Sequence, residues 1–132
     1  FFDILHEGHI KILELAKSQC EQLIVAVGTD EFMRERKGRE SVLSYSERIR
    51  IVSAIRYVDK VVEETDLDKV AAYYKYKFDV MFVGDDHQQE AIYIRDAARL
   101  KKEYGVDTIY IKRSNVSSTE IRKRIYNMRV EE

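Results

Sequence analysis

The stretch Leu23-Ile24-Val25-Ala26-Val27 is apolar at every position. A run of that kind suits a short parallel strand covered on both faces. Three more short strand-like runs follow, at Val58 to Glu63, Asp79 to Val83 and Thr108 to Ile111. Stretches with helical spacing separate them. Ile10 to Cys20 places Ile12, Leu13, Ala16 and Cys20 on one face, as in a helix packed on a sheet. Ser44 to Tyr57 is a second helix, with Ile49, Val52 and Ile55 as its stripe. Ser44 caps it, and Glu47 three residues later completes a capping box. Asp66 is placed to cap a helix to about Tyr76, and a long helix spans Glu90 to Tyr104. Ser117, Ser118 and Thr119 open a last helix whose stripe is Ile121, Ile125 and Met128. Glu31 to Glu40 is highly charged and reads as a loop or short helix facing solvent. This alternation predicts an α/β fold, a doubly wound parallel sheet with helices on both faces.

Composition narrows the class. At 132 residues the chain is expected to be one domain, 1–132, long enough to bury a core. A net charge of −1 gives no global pull towards nucleic acid or an anionic membrane. The single cysteine, Cys20, reads as a small core residue and suits a reducing cytoplasm. No apolar run reaches membrane-spanning length, no secretory signal pattern is visible, and the absence of proline leaves no Pro-rich linker.

In parallel α/β sheets, ligands sit beyond the carboxyl ends of the strands, and the polar clusters fall there. The first is Phe2-Asp3-Ile4-Leu5-His6-Glu7-Gly8-His9. His6 and His9 are three residues apart, so both point into one space at a helix start. A helix N-terminus offers free N–H groups and a positive dipole end, which suit phosphate. Gly8 lets the backbone approach closely. A helix start of this kind follows a strand, so a fifth strand is expected upstream of Phe1. The other clusters are Thr29-Asp30, Gly84-Asp85-Asp86, and Arg113 with Ser117-Ser118-Thr119. Together they read as a phosphate-handling site carrying two imidazoles.

These residues carry a family resemblance. Phe2-Asp3-x-x-His6-x-Gly8-His9 resembles the HxGH signature of the nucleotidyltransferase superfamily, which has a Rossmann-like fold. Arg56-Tyr57-Val58-Asp59-Lys60-Val61-Val62 resembles the RYVDEV segment of its cytidylyltransferase branch. Arg113 to Ile121 is a variant of that branch's RTEGISTT-like signature, and Gly84-Asp85-Asp86 matches a triplet of the glycerol-3-phosphate cytidylyltransferases. The resemblance implies that CTP and a phosphorylated alcohol give a CDP-alcohol and pyrophosphate, with Mg²⁺. It implies that His6 and His9 stabilise the α-phosphorus. Arg113 and the Ser117–Thr119 helix start would hold the β- and γ-phosphates. Lys37 and Arg56 would meet the α-phosphate or the acceptor's phosphate, and Asp86 the ribose or base. Phe2, Asp3 and Gly8 belong to the nucleotide-binding signature, with Asp3 orienting the site or the metal. A homodimer is also implied. Four positions depart from the family pattern: Phe1 for a threonine, Glu7 for an aromatic, and Asn115-Val116 for Glu-Gly. The Glu90–Tyr104 helix is also longer than in the shortest relatives.

Other readings stay beside this one. A sibling enzyme would use ethanolamine, choline or sugar phosphate as acceptor, or ATP as donor. A non-catalytic nucleotide-binding module would bind CTP without releasing pyrophosphate. Zinc sites take three or four protein ligands, and with only two histidines and Asp3 nearby and His87 distant in sequence, metal binding through the histidines ranks low. The basic stretches Arg34–Arg39 and Arg122-Lys123-Arg124 alternate with acids and lack the interleaved aromatics of a nucleic-acid surface. Tyr73, Tyr74 and Tyr76 read as a partly buried helix face.

Overall fold

The computed structural model describes residues 2–112 and 118–131. Helices and strands alternate in the order α1 (Glu7–Lys17), β1 (Ile24–Gly28), α2 (Asp30–Lys37), α3 (Tyr45–Ser53), β2 (Lys60–Glu64), α4 (Lys69–Tyr76), β3 (Val80–Gly84), α5 (Ala91–Tyr104), β4 (Asp107–Ile111) and α6 (Ser118–Glu131). A 3-10 turn at Asp85–His87 follows β3. The fold is α/β and Rossmann-like, with parallel strands. Among the described residues each strand has one partner, so the strands form two parallel pairs where one continuous sheet was expected. β1 pairs with β2, in the register Ile24 to Lys60 through Gly28 to Glu64. β3 pairs with β4, from Val80 opposite Asp107 to Gly84 opposite Ile111.

The chain packs as two compact units. Residues 2–66 and 118–131 make one, and residues 67–112 the other. In the first, α3 lies against both β1 and β2. Leu23, Val25 and Val27 are buried, whereas Ala26 is exposed, so β1 is covered mainly on one face. In the second, α5 lies against α4 and β4. Its core is Val70, Leu100 and Val106, with Tyr73, Phe78, Met81 and Tyr104 packed around them. Tyr73 therefore lies against the core as expected, while Tyr74 is 55% exposed.

Several boundaries move, each for a local reason. The charged stretch after β1 is helix α2. Thr29 caps it by accepting from Phe32 N–H at 3.1 Å, and Phe32 and Met33 on its inner side are buried. Gly38 ends it with a φ of 71°, a conformation that glycine adopts without strain. Helix α3 has the Ser44 cap expected of it, accepting from Glu47 N–H at 3.3 Å, but it ends at Ser53. The cap of α4 is Asp68, not Asp66: its Oδ1 accepts from Val70 and Ala71 N–H at 3.0 and 2.9 Å. Helix α1 ends at Lys17, so Cys20 lies beyond it, half-buried, with Sγ on the Ala16 carbonyl. The stripe assigned to the last helix is not a buried seam: Ile125 is 51% and Met128 62% exposed.

Candidate active site

The His6-Glu7-Gly8-His9 turn is a tightly specified piece of backbone. His6 is the N-cap of α1, with extended backbone at φ −145°. Its Nδ1 accepts from Gly8 N–H at 3.0 Å, and His9 Nδ1 accepts from His6 N–H at 3.2 Å. A neutral imidazole carries one hydrogen. With both Nδ1 atoms accepting from backbone donors, the geometry assigns that hydrogen to Nε2 on each ring. The rings lie 3.9 Å apart between centroids. Phe2 holds a left-handed φ of 56° and places its ring 5.1 Å from that of His9. A left-handed non-glycine residue costs about 1 kcal/mol. The pair thus presents two Nε2–H groups from a helix N-terminus, an arrangement suited to phosphate oxygens.

Asp3 is fully engaged by partners within this unit. Its carboxyl is 4% exposed and is surrounded by donors from elsewhere in this unit. Oδ1 accepts from Leu43 N–H at 3.0 Å, and Oδ2 takes a hydrogen bond from Arg122 of α6 and an ion pair from Arg39 at 3.6 Å. Burial pushes this carboxyl up. The Leu43 hydrogen bond and the donation and charge of Arg122 outweigh that, leaving it below its ordinary value of 3.8. A carboxylate occupied in this way does not fit a metal ion. Among the described residues no group of three or more His, Cys, Asp or Glu side chains could hold one.

Arg48, which sequence reasoning left aside, is fully buried in α3. It donates to the Gly28 carbonyl at 2.6 Å, to Asp30 Oδ1 at 2.7 Å and to the Leu43 carbonyl at 3.1 Å. It therefore ties the carboxyl end of β1 to the loop before α3. Asp30 is raised by burial but lowered further by Tyr45 N–H, Arg48 and Ser41, and stays below the ordinary carboxylate value. The spacing held the signal, since Arg48 lies four residues before buried Val52 and four after the Ser44 cap.

Beyond the ends of β1 and β2 is an open depression of about 390 Å³. Asp30, Glu31, Glu35 and Glu63 line it, with the rings of Phe32 and Tyr45. That much carboxylate repels a polyanion, so the depression is ill suited to phosphate.

The remaining assignments divide. Lys37 is the exposed last residue of α2, and Thr119 is exposed in the first turn of α6. Ser118 starts α6. Arg113 and Ser117 lie outside the described residues. Asp86 belongs to the second unit, in the turn after β3. Its carboxylate folds back to within 2.6 Å of where a Cβ on Gly84 would stand. Beside it, His87 meets Glu90 at 2.9 Å and stacks on Tyr93 at 4.6 Å.

Arg56 precedes β2. It is exposed, with its guanidinium over the Tyr57 ring and donating to Tyr57 Oη at 3.0 Å. The charge that reaches it from α1 is that of Glu14, and nearby Asp59 pairs with Lys17 at 2.7 Å. Both partners lie in the second half of α1. Arg56 thus stands near the amino end of β2, which begins at Lys60.

The cytidylyltransferase-like family model matches residues 1–124. The chain belongs to that family. It is 35% identical over 126 residues to the glycerol-3-phosphate cytidylyltransferase of Bacillus subtilis (strain 168), covering 94% of this chain and 91% of that one. It is 36% identical over 131 residues to the FAD synthase of Pyrococcus abyssi (strain GE5 / Orsay), covering 94% and 86%. The crystal structure of a lipopolysaccharide core biosynthesis protein from Thermoplasma volcanium superposes with a TM-score of 0.70 at 25% identity, covering 88% of this chain and 92% of that one. As a member of the cytidylyltransferase-like family, the chain places its HxGH histidines on the helix start described above. No described helix is long and apolar enough to cross a membrane.

Proposed function

We propose that this cytidylyltransferase-like protein transfers the cytidylyl group of CTP to a phosphorylated alcohol, glycerol 3-phosphate, giving CDP-glycerol and pyrophosphate. The observation that carries the reading is the close, tilted His6 and His9 ring pair with its two Nε2–H donors at the start of α1. In this reading an acceptor phosphate oxygen attacks the α-phosphorus of CTP, the bond to the β-phosphate oxygen breaks, and pyrophosphate leaves. Phosphoryl chemistry of this sort needs positioning and charge stabilisation more than covalent help. The histidines donate to the oxygens on which charge grows. Lys37, Arg113 and the α6 start around Ser117, Ser118 and Thr119 take the outer phosphates, and Asp86 the nucleoside. Mg²⁺ enters as the nucleotide's counter-ion. The enzyme acts as a homodimer in the cytoplasm.

A second reading has a specific observation behind it, the FAD synthases of similar identity. Under it the donor is ATP and the acceptor a flavin phosphate. The test is pyrophosphate release from CTP or ATP with glycerol 3-phosphate, ethanolamine phosphate, choline phosphate, a sugar phosphate and FMN. CDP-glycerol from CTP supports the first reading. FAD formed from ATP and FMN replaces it with the second. Tight CTP binding with no pyrophosphate from any pair makes the protein a binding module.

A further inference from the structure

In the first unit, two arginines converge on a single carboxylate. Arg39 lies in the loop after α2, and Arg122 is on the first turns of α6. Both reach the same oxygen, Asp3 Oδ2, and Asp3 stands three residues before His6. We propose that Asp3 is a positioning residue that assembles the phosphate site, pinning Arg122 beside the histidine turn and parking Arg39, which exchanges Asp3 for an incoming phosphate. The proposal rests on the phosphate reading of the histidine turn.

Three observations support it. First, the charges do not cancel: one carboxylate faces two guanidiniums, so the cluster keeps a net positive charge. A buried pair would suffice for stitching, and a second arginine adds attraction for an anion. Second, the two arms are held differently. Arg122 is hydrogen-bonded to Asp3 and its side chain is 26% exposed, whereas Arg39 stands at 3.6 Å and is 43% exposed. At 3.6 Å the contact is an ion pair without a good hydrogen bond, which a phosphate able to take a bidentate guanidinium outcompetes. Third, Arg122 depends on Asp3. Its Nε is buried with no hydrogen-bond partner among the described residues, so the carboxylate is what fixes the guanidinium. Leu43 N–H, donating to the other oxygen at 3.0 Å, fixes the carboxylate in turn.

The test uses the full 132-residue chain and binding of inorganic tripolyphosphate and of CTP by calorimetry, with no reliance on turnover. Asp3→Asn, folded by circular dichroism, is expected to weaken tripolyphosphate roughly tenfold or more, the scale of losing a charge-assisted hydrogen bond. Asp3→Glu should restore part of that loss. Arg39→Gln should weaken binding similarly, and the Asp3→Asn/Arg39→Gln double variant should be less impaired than the two losses combined. A folded Asp3→Asn with parental affinity and only a lower melting temperature would overturn the proposal, as the ion pair would then be structural stitching. Should Asp3→Asn not fold, Arg39→Gln decides, because its side chain is partly exposed, and unchanged affinity there also overturns it. A parent chain that binds tripolyphosphate but forms no product from any donor and acceptor refutes the proposed reaction and leaves this proposal standing on the binding series. A parent chain that binds neither probe overturns both.

Discussion

Two backbone N–H groups decide what His6 and His9 can do. By donating to both Nδ1 atoms they serve the helix start and fix the tautomer together, so cap and chemistry are separable by substitution. Asparagine at position 6 can accept from Gly8 N–H through its side-chain oxygen but has nothing at the place of Nε2. His6→Asn should therefore keep a stability close to the parent, while His6→Ala loses about 1 kcal/mol as an uncapped helix start does. Both should lower turnover by roughly a hundredfold or more, the scale of losing one transition-state donor, and so should His9→Ala. Urea unfolding alongside steady-state rates separates these effects, and near-normal turnover in the His6 and His9 variants would remove the assigned role. Arg48 makes the opposite case, a charged residue whose work is structural. Arg48→Met fills the volume but strands the Gly28 carbonyl and Asp30. It should cost on the order of 2 kcal/mol, the scale of leaving a buried acceptor unmet, read from the urea midpoint. The helix start that carries the histidines was legible in the sequence because its contacts are local, two and three residues apart. The buried role of Arg48 was not, because its acceptors lie 20 and 18 residues away.

At the scale of elements, periodicity and caps told most of what the structure shows. The failures share a cause. The α2 segment reads as a charged surface because Arg34 to Glu40 dominates it, yet two buried residues, Phe32 and Met33, anchor it as a helix. Asp66 and Asp68 are equal candidates for a cap by residue type. The decision comes from Asp96, which accepts from Lys69 N–H at 3.2 Å across 27 residues and helps fix where α4 starts. Ile125 and Met128 of α6 satisfy a helical period without being covered, since period reports which face a side chain shares and not what lies opposite. Gly38 tests the α2 boundary directly. A Cβ there would meet nothing within 4 Å, so Gly38→Ala acts only through the φ of 71°. It should destabilise by about 1 kcal/mol and, if the loop carrying Arg39 shifts with it, weaken tripolyphosphate binding as well. A fully neutral outcome in calorimetric melting would mean that α2 ends elsewhere in solution.

At the scale of the molecule, the α/β class followed from apolar runs alternating with helical stripes, and the parallel pairing followed from that class. How the strands group did not follow, because hydrogen-bond partnership between strands depends on contacts tens of residues apart that no local pattern encodes. What joins distant segments here is carboxylates. Asp3 ties the N-terminal turn to the loop after α2 and to α6. Asp30 ties the end of β1 to α3, and Asp59 ties the start of β2 to Lys17 and Leu23 N–H. All three lie below their ordinary value of 3.8, Asp59 through Lys17 and the Leu23 hydrogen bond. A carboxyl held lower in the folded state than in the unfolded one stabilises the fold fully above its unfolded value. That stabilisation is lost as pH falls through the folded value, because the proton then binds the unfolded chain first. Urea midpoints should therefore stay nearly flat from pH 7 to about 5 and fall steeply below about 4. Asp3→Asn and Asp59→Asn should start lower at neutral pH and lose less on acidification, so that their curves approach that of the parent in acid. Parallel curves for parent and variants down to about pH 3 would show that these carboxylates do not carry the acid sensitivity, and that the links they make between segments are not what holds the first unit together.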